Sequence, residues 1–154
     1  MITMKQRKET QGLYEKLTDA FASGQIAELL LENGVGAIYL FGSHVKGIER
    51  PESDIDIGVV LLMPASPDEA RRIYDNILEV ISDAISTVTP KTVDIVMVQH
   101  ASLALQFEVV VDGKVLFEVS PCFSLNYTES VIKEYADFDY QRQVFNRATL
   151  EACA

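Results

Sequence analysis

Leu40-Phe41-Gly42-Ser43 and, after a ten-residue gap, Asp54-Ile55-Asp56-Ile57 are the stretches that decide the fold of this chain. The first ends the run Gly36-Ala37-Ile38-Tyr39-Leu40-Phe41, a β-branched and aromatic segment closing on glycine, and predicts a buried strand followed by a tight turn. The second opens another apolar run, which predicts a strand from Asp54 to Leu62. Side chains alternate faces along a strand, so both carboxylates point the same way, about 7 Å apart along the backbone. Ile55, Ile57, Val59 and Leu61 then take the opposite, core-directed face.

Like charges on one face of an apolar strand are costly. A carboxylate pair ~4 Å apart repels by about 4 kcal/mol at an effective dielectric near 20. Asp94, in the equally apolar run Thr92-Val93-Asp94-Ile95-Val96-Met97-Val98, worsens the crowding where the two strands are neighbours. A divalent cation with hard oxygen ligands turns this penalty into attraction, and two ions about 3.5–4 Å apart suit converging carboxylates. Upstream, Gly42 permits close approach of a backbone amide to a ligand, and the Ser43 hydroxyl can donate to a phosphate oxygen. A lone Asp often marks only a strand end, and Gly-Ser after a strand is a common turn. Their combination is what singles out a candidate site.

Working outward, Leu13, Leu17, Ala20, Phe21, Ile26, Leu29 and Leu30 recur at helical spacing, interrupted near Gly24, and predict one or two helices ending at Asn33-Gly34. The polar stretch from Ser43 to Ser53 predicts a short helical turn and a loop. Ser66-Pro67-Asp68-Glu69 carries a capping box with Pro at the first helical position, and Ala70, Ile73, Ile77, Val80, Ile81, Ala84 and Ile85 form the apolar stripe behind it. A strand over Thr92 to Val98, a helix over Ser102 to Val110, a strand over Val115 to Val119 and a C-terminal helix over 120–154 complete the order. That order predicts an α/β or α+β layer architecture in a single domain over 1–154, with residues 1–25 as a helical extension.

Bulk properties narrow the function classes. With 23 acidic against 13 basic residues, the formal charge is −10, which argues against a direct nonspecific grip on nucleic acid phosphates. No apolar run reaches the ~20 residues needed to span a bilayer, and the polar start lacks the core of a secretion signal, so the expectation is a cytoplasmic protein without a membrane partner. Cys122 and Cys153 have no metal-ligand spacing and are expected to be reduced thiols. His100 reads as an ordinary loop residue. An anionic substrate would need local compensation, for which divalent metal is the natural candidate.

Gly42-Ser43, ten residues, then Asp54-Ile55-Asp56 resembles the G-S-x10-D-x-D signature of the polymerase β-like nucleotidyltransferases. The resemblance implies a small mixed sheet flanked by helices, a Gly42-Ser43 turn holding the triphosphate of ATP, Asp54 and Asp56 holding Mg²⁺, and Asp94 completing a two-ion site. The motif Phe41-Gly42-Ser43-His44-Val45-Lys46-Gly47 and the later run from Val109 to Phe117 are most similar to the minimal nucleotidyltransferase (MNT) group, and the likeness covers roughly residues 26–117. Members of that group act as antitoxins that transfer AMP from ATP to a tyrosine of a partner HEPN ribonuclease toxin. The same role is the expectation here: in-line attack of a hydroxyl on the α-phosphate, with Asp94 as general base. Many relatives carry a basic residue directly after Gly-Ser. His44 stands there in this chain, so cationic help near the phosphates would come from Lys46 or Arg50.

Larger relatives that modify antibiotics use a helical domain for the acceptor, whereas the residues after Val119 suffice for one helix. The acceptor is therefore expected on another macromolecule. Tyr127, Val131, Tyr135, Phe138 and Phe145 form an apolar and aromatic stripe in that helix, suited either to a partner or to the protein's own sheet. Two alternatives remain: a binding module that neutralises a toxin by contact alone, and a small-molecule nucleotidyltransferase with its acceptor site built across a homodimer.

Overall fold

The computed structural model describes residues 3–153. Helices α1 (Met4–Ala22) and α2 (Gly24–Glu32) come first, separated at Ser23 as the interruption near Gly24 predicts. Strand β1 (Val35–Phe41) follows, then the one-turn helix α3 (Ser43–Lys46), strand β2 (Ile55–Leu61), helix α4 (Pro67–Ser86) and strand β3 (Val93–Met97). A 3₁₀ turn over Val98–His100 leads to α5 (Leu103–Asp112), β4 (Lys114–Glu118) and the long α6 (Pro121–Ala152).

Local chemistry accounts for these boundaries. Ser66 caps α4 by accepting from the Glu69 amide while the Glu69 carboxylate accepts from the Ser66 amide, the predicted capping box with Pro67 behind it. Asp54 lies just before β2 rather than within it, because ladder pairing begins at Ile55, whose amide donates to the Thr92 carbonyl at 2.8 Å. The third strand stops at Met97, one residue early, where the chain tightens into the 3₁₀ turn. Helix α5 runs to Asp112 rather than Val110, and β4 starts at Lys114, so the turn at Gly113 is shorter than expected.

The four strands form a mixed sheet in the order β3-β2-β1-β4, with β1 antiparallel to both β2 and β4 and with β2 parallel to β3. Both faces are covered. Ile38, Leu40, Ile55, Ile57, Val59 and Leu61 pack on Leu17, Phe21 and Leu30 of the first two helices and on Ile77, Ile81 and Ile85 of α4. This is the core-directed face predicted for β2. Ala37, Tyr39, Phe41 and Val60 point the other way, against Val109 and Val110 of α5 and Val131 of α6. Gly58 belongs to that second face, where a Cβ would press on the side chains of Val98 and Val109; its bareness lets α5 sit low on the sheet behind Asp56.

The aromatic stripe of α6 divides. Tyr127 donates to Gln106 at 3.1 Å, Val131 is buried and Tyr135 stacks on Phe107 with centroids 4.2 Å apart, so the first half serves the protein's own core. Phe138 and Phe145, with Tyr140, Val144 and Leu150, are exposed on the second half. Among the described residues no helix is long and apolar enough to cross a membrane.

Burial of Tyr39 on β1 and of Tyr127 on α6 has a measurable consequence. Loss of solvent raises both phenols above the ordinary value of 10.0, with each other's proximity adding to the effect at Tyr127. A folded-state pKa above the unfolded one stabilises the protein fully below the unfolded pKa, and the contribution is lost as pH rises through the folded one. Unfolding free energy from urea titration should therefore decline above about pH 10, and Tyr127→Phe should flatten the decline. An identical alkaline slope in the variant would remove Tyr127 from the account.

Candidate active site

Backbone geometry assembles the site. Phe41, the last residue of β1, pairs with Asp56 of β2, so the turn that follows Phe41 starts beside that aspartate. Gly42 makes the turn with φ 76° and ψ −147°, a conformation open essentially to glycine alone. A Cβ at this position would overlap the Asp56 carboxylate. The Gly42 carbonyl accepts from the amides of Val45 and Lys46, both at 3.2 Å, which fixes Ser43 as the first residue of α3.

Asp56 and Asp94 are register partners in the parallel β2–β3 ladder. Partners in a parallel ladder share a face of the sheet and sit about 4.8 Å apart, so Asp94 is on the Asp56 side, away from the helical layer of α1, α2 and α4. Asp54 and Asp94 are exposed and Asp56 is half-buried. The Asp56 carboxyl is pushed above the usual range, first by loss of solvent and next by the Asp94 charge; Asp54 and Glu108 add to the rise, and His44 opposes it. The Asp54 carboxylate accepts a hydrogen bond from the Thr92 hydroxyl. Among the described residues, no three carboxylate, imidazole or thiol groups yet converge tightly enough to ligate one ion.

The donor set fits a divalent cation by its chemistry: three hard carboxylates border one strip of sheet, and the mutual repulsion felt at Asp56 is the penalty a cation would remove.

The cationic candidates separate. Lys46 forms an ion pair with Glu108 of α5 at 2.6 Å, and Glu108 also raises the Asp56 pKa, so Lys46 is held on the acidic side of the turn. Arg50 lines a cavity of about 370 Å³ between α1 and the loop after α3, together with Glu9, Thr10, His44, Glu49 and Lys91; none of the three aspartates borders it. His44 is 2% exposed, with Nε2 3.4 Å from the Ser53 carbonyl oxygen, so it is packed beneath the turn.

Sequence reasoning passed over Glu108, Thr92 and Lys91. Each reaches the site from 38 or more positions away along the chain, and none lies in a motif. A parallel pairing of β2 with β3 would have placed Thr92 beside Asp54; Glu108 had no comparable signal.

Comparison with known proteins bears on the fold. Residues 24–121 match the family described as polymerase beta, nucleotidyltransferase. The chain belongs to that family. The match starts at the first residue of α2 and ends at the first of α6, which encloses the whole sheet and all three aspartates. Among solved structures, a toxin–antitoxin complex with AMP-PNP contains a chain 24% identical, aligned over 84% of this chain and 98% of that one with a TM-score of 0.58. A tri-AMPylated Shewanella oneidensis HEPN toxin in complex with MNT antitoxin contains a chain 22% identical, aligned over 92% and 98% with a TM-score of 0.54. A mutant MntA toxin–antitoxin complex contains one 25% identical, aligned over 82% and 95% with a TM-score of 0.55. Among curated proteins none matches the sequence. The mixed sheet flanked by helices is thus the polymerase β nucleotidyltransferase fold that the resemblance implied.

Proposed function

We propose that this nucleotidyltransferase moves AMP from ATP to a tyrosine hydroxyl of a partner HEPN toxin and so serves, in the cytoplasm, as its antitoxin, the whole chain acting as one catalytic domain. The observation that carries the reading is the β2–β3 register, which aligns Asp94 with Asp56 on the face reached from the Gly42-Ser43 turn. Support for the partner comes from the company the fold keeps: one similar chain lies in a toxin–antitoxin complex with AMP-PNP and another beside an AMPylated HEPN toxin. The exposed aromatic half of α6 offers such a partner a surface.

In this reading Asp54, Asp56 and Asp94 would hold Mg²⁺, two ions in all, which would supply charge neutralisation to a bound triphosphate. The protein's own groups do the rest. Gly42 and Ser43 present a backbone amide and a hydroxyl to the phosphates, and Lys46 exchanges Glu108 for a phosphate oxygen. Asp94, exposed at its strand, accepts the proton of the attacking hydroxyl, a role worth about 10²–10⁴ in rate. The bond formed joins the acceptor oxygen to the α-phosphorus, the bond broken joins that phosphorus to the bridging oxygen, and pyrophosphate leaves.

The test incubates the chain with α-labelled ATP, Mg²⁺ and a HEPN toxin as candidate acceptor. Label on the partner's tyrosine, abolished by EDTA and by Asp54→Ala combined with Asp56→Ala, is the expected result. Transfer that survives the double substitution removes the acidic site from the mechanism. A tight complex without any label identifies a binding module, and label on an aminoglycoside instead identifies a small-molecule enzyme.

A further inference from the structure

Between Gly47 and Asp54 the chain crosses from the phosphate turn to the first carboxylate through an exposed loop with a Pro51-Glu52 turn. Such a loop has no ladder partner to fix it, yet a metal ligand at its end must be placed within a fraction of an ångström. Its internal bonds are few: the Arg50 amide donates to the Ser53 hydroxyl at 2.7 Å, and the Ser53 amide to the Arg50 carbonyl at 2.9 Å.

From outside the loop, the Thr10 hydroxyl of α1 donates to the Glu49 carboxylate at 3.3 Å, and Lys91 supplies three further bonds. It lies in the connection from α4 to β3, half-buried, and its ammonium donates to the carbonyls of Arg50 at 3.2 Å, Pro51 at 3.3 Å and Ser53 at 3.4 Å. An ammonium has three N–H donors, and here each has a backbone acceptor. The Ser53 carbonyl also faces the buried His44 ring at 3.4 Å. The next residue, Thr92, donates its hydroxyl to Asp54, and its carbonyl accepts from the Ile55 amide at 2.8 Å. Two consecutive residues therefore hold the loop from below and the carboxylate from the side.

We infer that Lys91 is a positioning residue for the metal site: its ammonium fastens the carbonyls of residues 50, 51 and 53 and thereby sets Asp54 for ligation. Lys91 touches neither nucleotide nor acceptor in this role; it acts through Asp54. The inference rests on the reading of Asp54 as a metal ligand, and its test separates the two.

Mn²⁺ alone is titrated into the full chain and followed by electron paramagnetic resonance, with wild type, Lys91→Met, Lys91→Arg and Asp54→Asn compared. Removing a group hydrogen-bonded to a metal ligand weakens metal affinity by about 10- to 100-fold; Lys91 acts one residue further out, so Lys91→Met is expected at the lower end, about 10-fold. Lys91→Arg, which keeps charge and donors, should recover part of the loss. Hydrogen exchange on the same samples should show faster exchange of the Ser53 amide in Lys91→Met with the amides of β1 and β2 unchanged. That readout also reports any variant that fails to fold, in which case Lys91→Arg decides by the position of its affinity between wild type and Asp54→Asn. Full Mn²⁺ affinity in a folded Lys91→Met protein, alongside weakened binding by Asp54→Asn, overturns the role of Lys91. Unchanged binding by Asp54→Asn overturns the ligand assignment beneath it.

Discussion

Gly42→Ala is expected to cut nucleotidyl transfer by at least about 100-fold while leaving a folded protein, since displacing a reacting group by about 1 Å already costs that much. Two independent effects converge on this residue. Its backbone stands at φ 76° and ψ −147°, where an L side chain is strained by about 1–3 kcal/mol. Its missing Cβ is also the space occupied by the Asp56 carboxylate. An added methyl must either push Asp56 off its position or flatten the turn and carry Ser43 with it. The strain alone should lower Tm by about 2–12 °C at this chain length. Gly12→Ala provides the control, because Gly12 lies in α1 with nothing within 4 Å of a built Cβ, and there the same change should raise stability by up to about 1 kcal/mol. Thermal melts of both variants with a transfer assay check the pair. A Gly42→Ala protein of wild-type activity would mean that the turn is not the phosphate cradle.

The residues that proved legible are those whose pattern is local. The capping box at Ser66, the apolar stripe of α4 and the alternation in β2 each follow from spacing that physics ties to one conformation, and each appears where expected. Sheet order was not local. Two separate apolar runs place Asp56 and Asp94 in strands, but only the parallel pairing of β2 with β3 brings them together, and no spacing between them encodes that register. The fate of α6 shows the same limit from another side. One helical stripe runs from Tyr127 to Phe145, yet its first half meets Phe107 and Gln106 of α5 while its second half is exposed, a division that spacing within α6 does not encode. Lys91 and Glu108 escaped notice for a related reason: a lone charged residue in a loop or on a helix reads as solvated until the fold supplies its partner.

The second large effect has opposite signs in stability and activity. Asp56 is half-buried, deprived of solvent, and faces Asp94, Asp54 and Glu108, with His44 as partial compensation. Its pKa in the folded protein is therefore raised, which means that the fold favours the neutral carboxyl. The associated stability is present below the unfolded value and is lost as pH rises through the folded one, so at neutral pH the metal-free protein carries an unrelieved charge. Asp56→Asn keeps the shape and removes the charge. In EDTA the variant should melt at a higher temperature than wild type, and the gap should close as pH is lowered toward about 4. Added Mg²⁺ should raise the wild-type Tm by mass action and leave the variant where it was. Transfer should meanwhile fall by at least about 10³-fold, since metal charge stabilisation of several kcal/mol is withdrawn at about 1.4 kcal/mol per decade. A variant both less stable than wild type in EDTA and no less active would show that Asp56 is an ordinary strand residue.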